Sequence, residues 1–271
     1  YGTDAGFYRL LPKLVVKVKN EKEASVVIEL CYKMKIPLTY RAAGTSLSGQ
    51  AISDSVLMMT DSDWRGFSIS DDASLIELDP AVIGGDANTY LAPHHKKIGP
   101  DPASINSAMI SGIVSNNASG MTSGTINNSF NTLQSARIIF NDGTVLDTDD
   151  ESSKKEFEES HQNLIDSIKE LSGKVKSDEN LSSRIKKKFS IKNTTGYSIN
   201  ALIDFDDPFE ILSHLMVGSE GTLGYLSKIR LKTVENPPFK GSSLIIFKDI
   251  KTACEAIPIL NAQKVDAAEI M

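Results

Sequence analysis

The chain has 271 residues, 40% of them apolar and 24% charged, with a net charge of −6 and a pI near 5.3. This is ordinary globular usage, long enough for one large domain or two smaller ones. The acidic balance sets the summed field against polyanions, so no nucleic-acid partner is expected, and no apolar run reaches the roughly 18 to 20 residues that cross a bilayer.

Along the chain, LVVKV (14–18) is a β-branched run that predicts a strand. In the following NEKEASVVIELCYKMK, residues Ala24, Val27, Ile28, Cys31 and Met34 share one face of a helix, and Asn20 with Glu23 has the spacing of a capping pair. Cys31 reads as a small buried hydrophobe. With Cys254 far away in another helix-like pattern, the two cysteines form no disulfide framework and suggest a reducing, cytoplasmic setting.

A second strand, IPLTYR (36–41), runs into RAAGTSLSGQ (41–50), and SVLMMT, GFSIS and SLIELD then read as further strands. That first loop therefore joins strand to strand. GGDANTYLAPHH predicts a helix ending at Pro93, and INSAMISGIVSNNASG (105–120) predicts another, left through glycine. SARIIF and TVLDT flank the turn NDG, a hairpin signal. From Glu151 to about Ser190 the chain is charged and helix-prone and reads as an insertion or mobile region, its basic run RIKKKF being a solvated face. After ENPPF, SSLIIF predicts a strand, IKTACEAIPIL a helix, and VDAAEIM a last strand.

The first loop fails the standard phosphate motifs. Gly44 and Gly49 have P-loop spacing, but Gln50 and Ala51 stand where lysine and a hydroxyl residue belong. A dinucleotide turn or a nucleophile elbow would need a helix to follow, and a strand follows instead. What remains is either a plain Gly/Ser turn or a nest of main-chain N–H groups able to meet an anion, with Thr45, Ser46 and Ser48 as hydroxyl donors. A second small-residue stretch, GPDPASINSAMISGIVSNNASGM (99–121), carries Ser104, Ser111, Gly112, Ser115, Ala118, Ser119 and Gly120. A third, MVGSEGTLGYLSKIRLKT (216–233), sets Gly218, Gly221 and Gly224 around Glu220 just before a strand. Three separated loops of this kind suit an extended ligand of dinucleotide length. The histidine pair His94 and His95 has no carboxylate or cysteine cluster beside it, so no metal site is expected; His161 and His214 read as equally unremarkable surface residues.

RAAGTSLSGQA, AVIGGDANTYLAP, the second stretch and VGSEGTLGYLSKIRLKT resemble, in order and spacing, the FAD-binding domain of the vanillyl-alcohol oxidase and p-cresol methylhydroxylase superfamily, its D-lactate and glycolate dehydrogenase branch above all. The resemblance covers residues 1 to about 235. It implies an α+β, two-subdomain PCMH-type FAD-binding fold: residues 1–65 as the first subdomain, 66–238 as the second, and 239–271 as the start of an α/β cap domain. It assigns Ala43, Gly44, Thr45, Ser46, Gly49 and Gln50 to the FAD pyrophosphate. Pro100, Asp101, Pro102 and Ser104 go to the isoalloxazine ring, Gly112, Asn117, Ser119 and Gly120 to the ribityl chain and pyrophosphate, and Glu220, Gly221 and Gly224 to the other end.

Covalent members carry GGH where this chain has AGT (43–45), so the implied FAD is non-covalent. The implied activity is oxidation of a small D-2-hydroxy acid by hydride transfer to flavin N5, with a quinone, cytochrome or iron–sulphur module as acceptor. In this family the substrate carboxylate site and the base come from the cap and beyond. The catalytic residues here are thus unknown, the chain reads as part of a longer protein that can sit at the inner face of a membrane, and the fragment alone is expected to be inactive. The rivals are an inert nucleotide-binding or interaction module and a cell-wall-precursor flavin reductase, the latter disfavoured by the pairing of PDPAS with SEGTLG.

Overall fold

Leu14–Val18 (β1) leads into Glu21–Lys33 (α1), whose first turn is capped as its sequence predicts: the Asn20 side chain accepts from the Glu23 N–H at 3.0 Å. The chain returns as Leu38–Arg41 (β2) and, after the first loop, as Val56–Thr60 (β3). In this computed structural model, which describes residues 1–263 and 265–270, the three strands form one parallel sheet in the order β1-β3-β2. Because β2 and β3 are parallel neighbours, the chain leaving Arg41 must travel back the length of the sheet before β3 begins. Such crossovers usually contain a helix. Here residues 42–55 make the trip as loop, and the loop starts at the carboxyl end of β2, the end at which parallel sheets bind ligands.

The second sheet is antiparallel. Its strands are Phe67–Ile69 (β4), Leu75–Leu78 (β5), Lys96–Ile98 (β6), Leu133–Ile139 (β7), Val145–Asp147 (β8) and Tyr225–Glu235 (β9), in the order β4-β5-β9-β7-β8 with β6 paired to the far end of β9. Long and central, β9 organises this sheet. Its register against β7 shifts between Ile138↔Leu226 and Arg137↔Lys228, so Ser227 is an extra residue in β9. Such a bulge changes which face successive side chains take. Tyr225 thereby points to the seam with the first sheet, while Leu226, Ile229 and Leu231 all enter the larger core.

Helices Gly84–Leu91 (α2), Ile110–Ser115 (α3), Ser129–Thr132 (α4), Glu151–Ser177 (α5), Glu179–Phe189 (α6), Ala201–Asp204 (α7) and Pro208–Leu215 (α8) contribute to that core. The charged segment expected to be an insertion or mobile is part of it. Phe157, Ile165, Ile168 and Val175 recur at helical spacing along α5 and are buried, each contributing about 1.5–3 kcal/mol of apolar burial. Ile185 anchors α6 in the same way, and Lys186, Lys187 and Lys188 stay outside. His214 also departs from expectation: it is buried in α8, stacked on Phe205 at 4.0 Å, with Nδ1 donating to the Glu210 carbonyl.

The predicted strand SSLIIF does not form; residues 242–247 have no partner strand among the described residues, and an unpaired strand leaves its ladder groups open. Ile250–Ala262 (α9) forms as predicted. Residues 265–270 are not a strand, and Met271, the last residue of that expectation, lies outside the described residues. No described helix is long and apolar enough to cross a membrane.

A charge network locks the sheets to one another. Arg137 of β7 bonds both oxygens of Glu21 at 2.6 and 3.0 Å and reaches Asp147 at 3.2 Å, while Ser227 at the bulge donates to Glu21 at 2.7 Å. Arg230 grips Asp147 and Glu77 at 2.7 and 2.6 Å. Burial works against both carboxylates, but the hydrogen bonds and charge of Arg230, joined at Glu77 by Lys228, hold each below its ordinary range. Replacing Arg230 by Met takes the main partner from buried Asp147 and half-buried Glu77, leaving them Arg137 and Lys228, and is expected to cost about 2 kcal/mol in urea unfolding at neutral pH. Groups with lowered folded pKa stabilise above their unfolded values, here 3.8 and 4.5, and lose that contribution as pH falls through the folded ones. Wild type and variant should therefore converge in strong acid. A gap of the same size at pH 7 and pH 3 would contradict this role.

Candidate functional site

The two sheets meet at a small apolar seam of Val18, Ala24, Ile28, Met58, Ile139 and Tyr225. Tyr225 sits in its middle, with the Tyr40 ring edge-on at 5.4 Å, Trp64 at 6.2 Å and the Thr60 hydroxyl at 2.9 Å from its own. Burial, with a smaller contribution from Cys31, pushes the Tyr40 phenol up to about 12; burial raises Tyr225 further. Both stay protonated across any physiological range.

Directly above the seam lies an open cleft of about 290 Å³. All three small-residue loops line it. The first supplies Ala42 to Leu47 and Gln50, the second Ser104, Ser111, Gly112, Ser115, Asn116 and Ala118, and the third Glu220, Gly221 and Gly224. Tyr40, Thr60 and Tyr225 form part of its wall.

The loops approach one another closely. A Cβ on Gly112 would lie 3.3 Å from the Ala42 methyl, and one on Gly221 would meet the Tyr40 ring at 2.9 Å. Gly221 also has φ of 79°, where a side chain is strained. Across the mouth, Gln50 Nε2 donates to the Glu220 carboxylate at 3.3 Å, joining the first loop to the third.

Most informative is what the first loop leaves unbonded. Among the described residues nothing accepts from the backbone N–H groups of Ala43 to Leu47. These residues are half-buried, or exposed at Leu47, and all line the cleft, so their N–H groups are open to an acceptor placed there. Beneath the loop, the Arg41 guanidinium packs against Gly44, with Nε buried and unpartnered and Nη1 donating to the Thr3 and Ala51 carbonyls at 2.7 and 3.1 Å. A free run of amides next to a fixed cation fits a diphosphate, and the apolar wall beside it, with Tyr40 and Tyr225, fits a nucleotide base. The residues present thus suit a dinucleotide.

Ten of the sequence-predicted residues line the cleft: Ala43, Gly44, Thr45, Ser46, Gln50, Ser104, Gly112, Glu220, Gly221 and Gly224. The others are placed elsewhere. Gly49 turns its N–H to the Asp4 carboxylate at 3.1 Å, away from the cleft. Pro100, Asp101, Pro102, Ser119 and Gly120 form a separate knot. There the Gly120 N–H and the Ser119 hydroxyl bond Ser123 at 2.9 and 2.8 Å, Asp101 accepts from Thr122, and a Cβ on Gly120 would collide with the Asp101 carbonyl at 1.4 Å.

Asn117 has a structural reason of its own. Helix α3 stops at Ser115, well short of the predicted end, because Asn117 adopts φ of 45° and the N–H groups of Asn117 and Ala118 return to the Val114 and Ile113 carbonyls at 2.9 and 2.8 Å. This is a left-handed helix stop, and asparagine tolerates that conformation better than most residues. Its side chain faces a different, polar pocket of about 200 Å³, with Nδ2 on the Asn193 carbonyl at 3.4 Å.

Several contributors lie outside the motifs. Segment 193–198 braces the loops, with Tyr197 hydroxyl to Thr222 hydroxyl at 2.8 Å and Ser198 to the Val217 carbonyl at 2.7 Å. Its small-residue turn, NTTG, was the available signal. Tyr40, Thr60 and Tyr225 end or begin strands beside loops, which alternation alone cannot distinguish from core. No histidine or cysteine lines the cleft, and among the described residues no group of three or more His, Cys, Asp or Glu could hold a metal ion.

Comparison with known proteins agrees with this geometry. A D-2-hydroxyglutarate dehydrogenase of Haemophilus influenzae is 22% identical over 283 residues, covering 98% of this chain and 27% of that protein. The glycolate oxidase subunit GlcD of Escherichia coli is 30% identical over 116 residues, 42% of this chain and 23% of that one. The matched part is thus about a quarter of the length of each of these curated relatives. Among solved structures, the 6-hydroxy-D-nicotine oxidase of Arthrobacter nicotinovorans superposes with a TM-score of 0.56 at 11% identity, over 87% of this chain and 39% of that one, which establishes a shared fold. The profile of the FAD binding domain family matches residues 12–149, half of the chain and the whole of the first two cleft loops, and the chain belongs to that family.

Proposed function

We propose that this chain is the FAD-holding part of a flavin-dependent dehydrogenase that oxidises a small D-2-hydroxy acid. The observation that carries the proposal is the run of unbonded amides at Ala43 to Leu47, facing a cleft walled by two further small-residue loops. These amides would hold the diphosphate, with the Arg41 guanidinium packed against Gly44 as a fixed positive charge. Tyr40, Thr60, Tyr225, Gly221 and Gly224 would take the adenine end. Glu220, positioned by Gln50, offers an acceptor for a ribose hydroxyl. Ser104 and the second loop would guide the remainder toward the Pro100–Pro102 turn.

When bound, FAD supplies the hydride acceptor at its N5. The residues of this chain bind and orient the cofactor. Thr45 at the position of the covalent histidine and a cleft lining without cysteine or histidine support non-covalent attachment. The names of the relatives support the 2-hydroxy acid class, and that of a Kluyveromyces lactis relative, D-lactate dehydrogenase [cytochrome], supports a cytochrome among the possible electron acceptors beside a quinone or iron–sulphur module.

Titrating the purified chain with FAD should quench flavin fluorescence at one equivalent. Gly221→Val and Gly112→Val, which push a branched side chain into the cleft wall, should weaken binding by about 100-fold or more. A chain that takes up no FAD would refute the proposal. For the substrate class, the full-length protein should reduce a redox dye with D-lactate, glycolate or D-2-hydroxyglutarate; silence with all three while FAD remains bound would reject the hydroxy-acid assignment alone.

A further inference from the structure

We infer that Asp4 is a positioning residue for the diphosphate loop: the segment Thr3–Gly6 straps the outer side of residues 44–49, and the Asp4 carboxylate fixes the loop with its main-chain donors turned to the cleft. This rests on the cleft being the FAD site.

Four contacts define the strap. Asp4 Oδ2 accepts from the Ser46 hydroxyl at 2.9 Å and from the Gly49 N–H at 3.1 Å, while Oδ1 accepts from the Gly6 N–H at 2.7 Å. The Ala5 N–H donates to the Ser46 carbonyl at 3.0 Å. Arg41, rooted at the end of β2, donates to the Thr3 carbonyl and so ties the strap to the strand that launches the loop. Gly6 lies so close to the loop that a Cβ there would stand 2.3 Å from the Leu47 carbonyl. Burial opposes ionisation of Asp4, but these donors outweigh it and hold the carboxyl below its ordinary range, so it is an anion at neutral pH.

An anion on a loop assigned to a diphosphate could brace the loop or compete for it. Geometry separates the two. The carboxylate takes Ser46 Oγ and Gly49 N–H, and Asp4 is not among the residues lining the cleft. The amides of Ala43 to Leu47 are left untouched. Asp4 therefore consumes donors on the outer side of the loop and leaves the inner ones free. In the same way, the Ser46 hydroxyl and the Gly49 amide serve the strap, and only the backbone of Ser46 is left for the ligand.

The test is isothermal titration calorimetry of the full chain with FAD, ADP and adenosine, for wild type, Asp4→Asn, Ser46→Ala and the double variant. Loss of the charge-assisted bonds should weaken FAD and ADP by about tenfold in Asp4→Asn. Adenosine, which lacks phosphate, should bind as it does to wild type. Ser46→Ala should act in the same direction, and the double variant should be no weaker than Asp4→Asn, because the Asp4–Ser46 hydrogen bond that Ser46→Ala removes is already lost in Asp4→Asn. General damage to the fold would lower ADP and adenosine affinity together, and that result overturns the inference. So does unchanged ADP affinity, and so does tighter ADP binding by Asp4→Asn, which would make the carboxylate a competitor. If Asp4→Asn fails to fold, Ser46→Ala alone decides by the same comparison of ADP with adenosine. Wild type that binds neither FAD nor ADP would overturn the FAD assignment and this inference together, whereas wild-type binding with indifferent variants overturns this inference only.

Discussion

One buried side chain, Tyr225, holds the site together. It starts β9 and also sits at the seam, between Tyr40 of β2 and Thr60 of β3. Since β9 is the central strand of the antiparallel sheet, fixing its first residue against the ends of two parallel strands fixes one sheet on the other. The bulge at Ser227 is what lets Tyr225 face the seam while the rest of β9 serves the larger core, and the Ser227 hydroxyl adds its own link to Glu21 of α1. The loop that precedes Tyr225 must then land beside the loop that follows Tyr40. The cleft is the gap they leave.

The chemistry of that gap is unusual for an anion site in having no lysine. A net charge of −6 gives little long-range attraction for a diphosphate, so the proposed binding rests on Arg41 and on short-range dipoles already in position. Five consecutive residues with unbonded amides provide them, and small side chains leave the backbone accessible. Holding such a loop in one conformation costs backbone entropy in the free protein. Much of the surrounding structure is arranged to bear it: Arg41 under the loop, Gln50 to Glu220 across the mouth, and segment 193–198 behind the third loop. A shared fold does not by itself assign this function. The donors and their setting are what support the proposed one.

A good part of this was legible in the sequence. Periodicity gave the β1–α1–β2 start, the Asp-Gly turn gave the β7–β8 hairpin, and three glycine-bearing loops gave the cleft walls. Other features hid behind residue type. Asn117 lies in a motif that looks like ligand-binding sequence, yet its conformation serves to stop α3. The charged stretch from Glu151 looked detachable because its mean composition is polar, while the positions that matter, Phe157 to Val175, are few and widely spaced. His214 could not be placed from a single residue; only the packing of Phe205 and Phe130 reveals it as core. The segment SSLIIF had the right local preference for a strand and no partner strand among the described residues. Asp4, distant in sequence from the loop it holds, left no local signal at all.

Hydrogen–deuterium exchange of the chain with and without FAD tests the convergence of the three loops most directly, since each amide reports its own protection. Slowed exchange together at residues 43–47, 111–118 and 220–225, with the polar pocket near Asn193 unaffected, is the expected result. Protection at one loop alone, or at none of them, would contradict it.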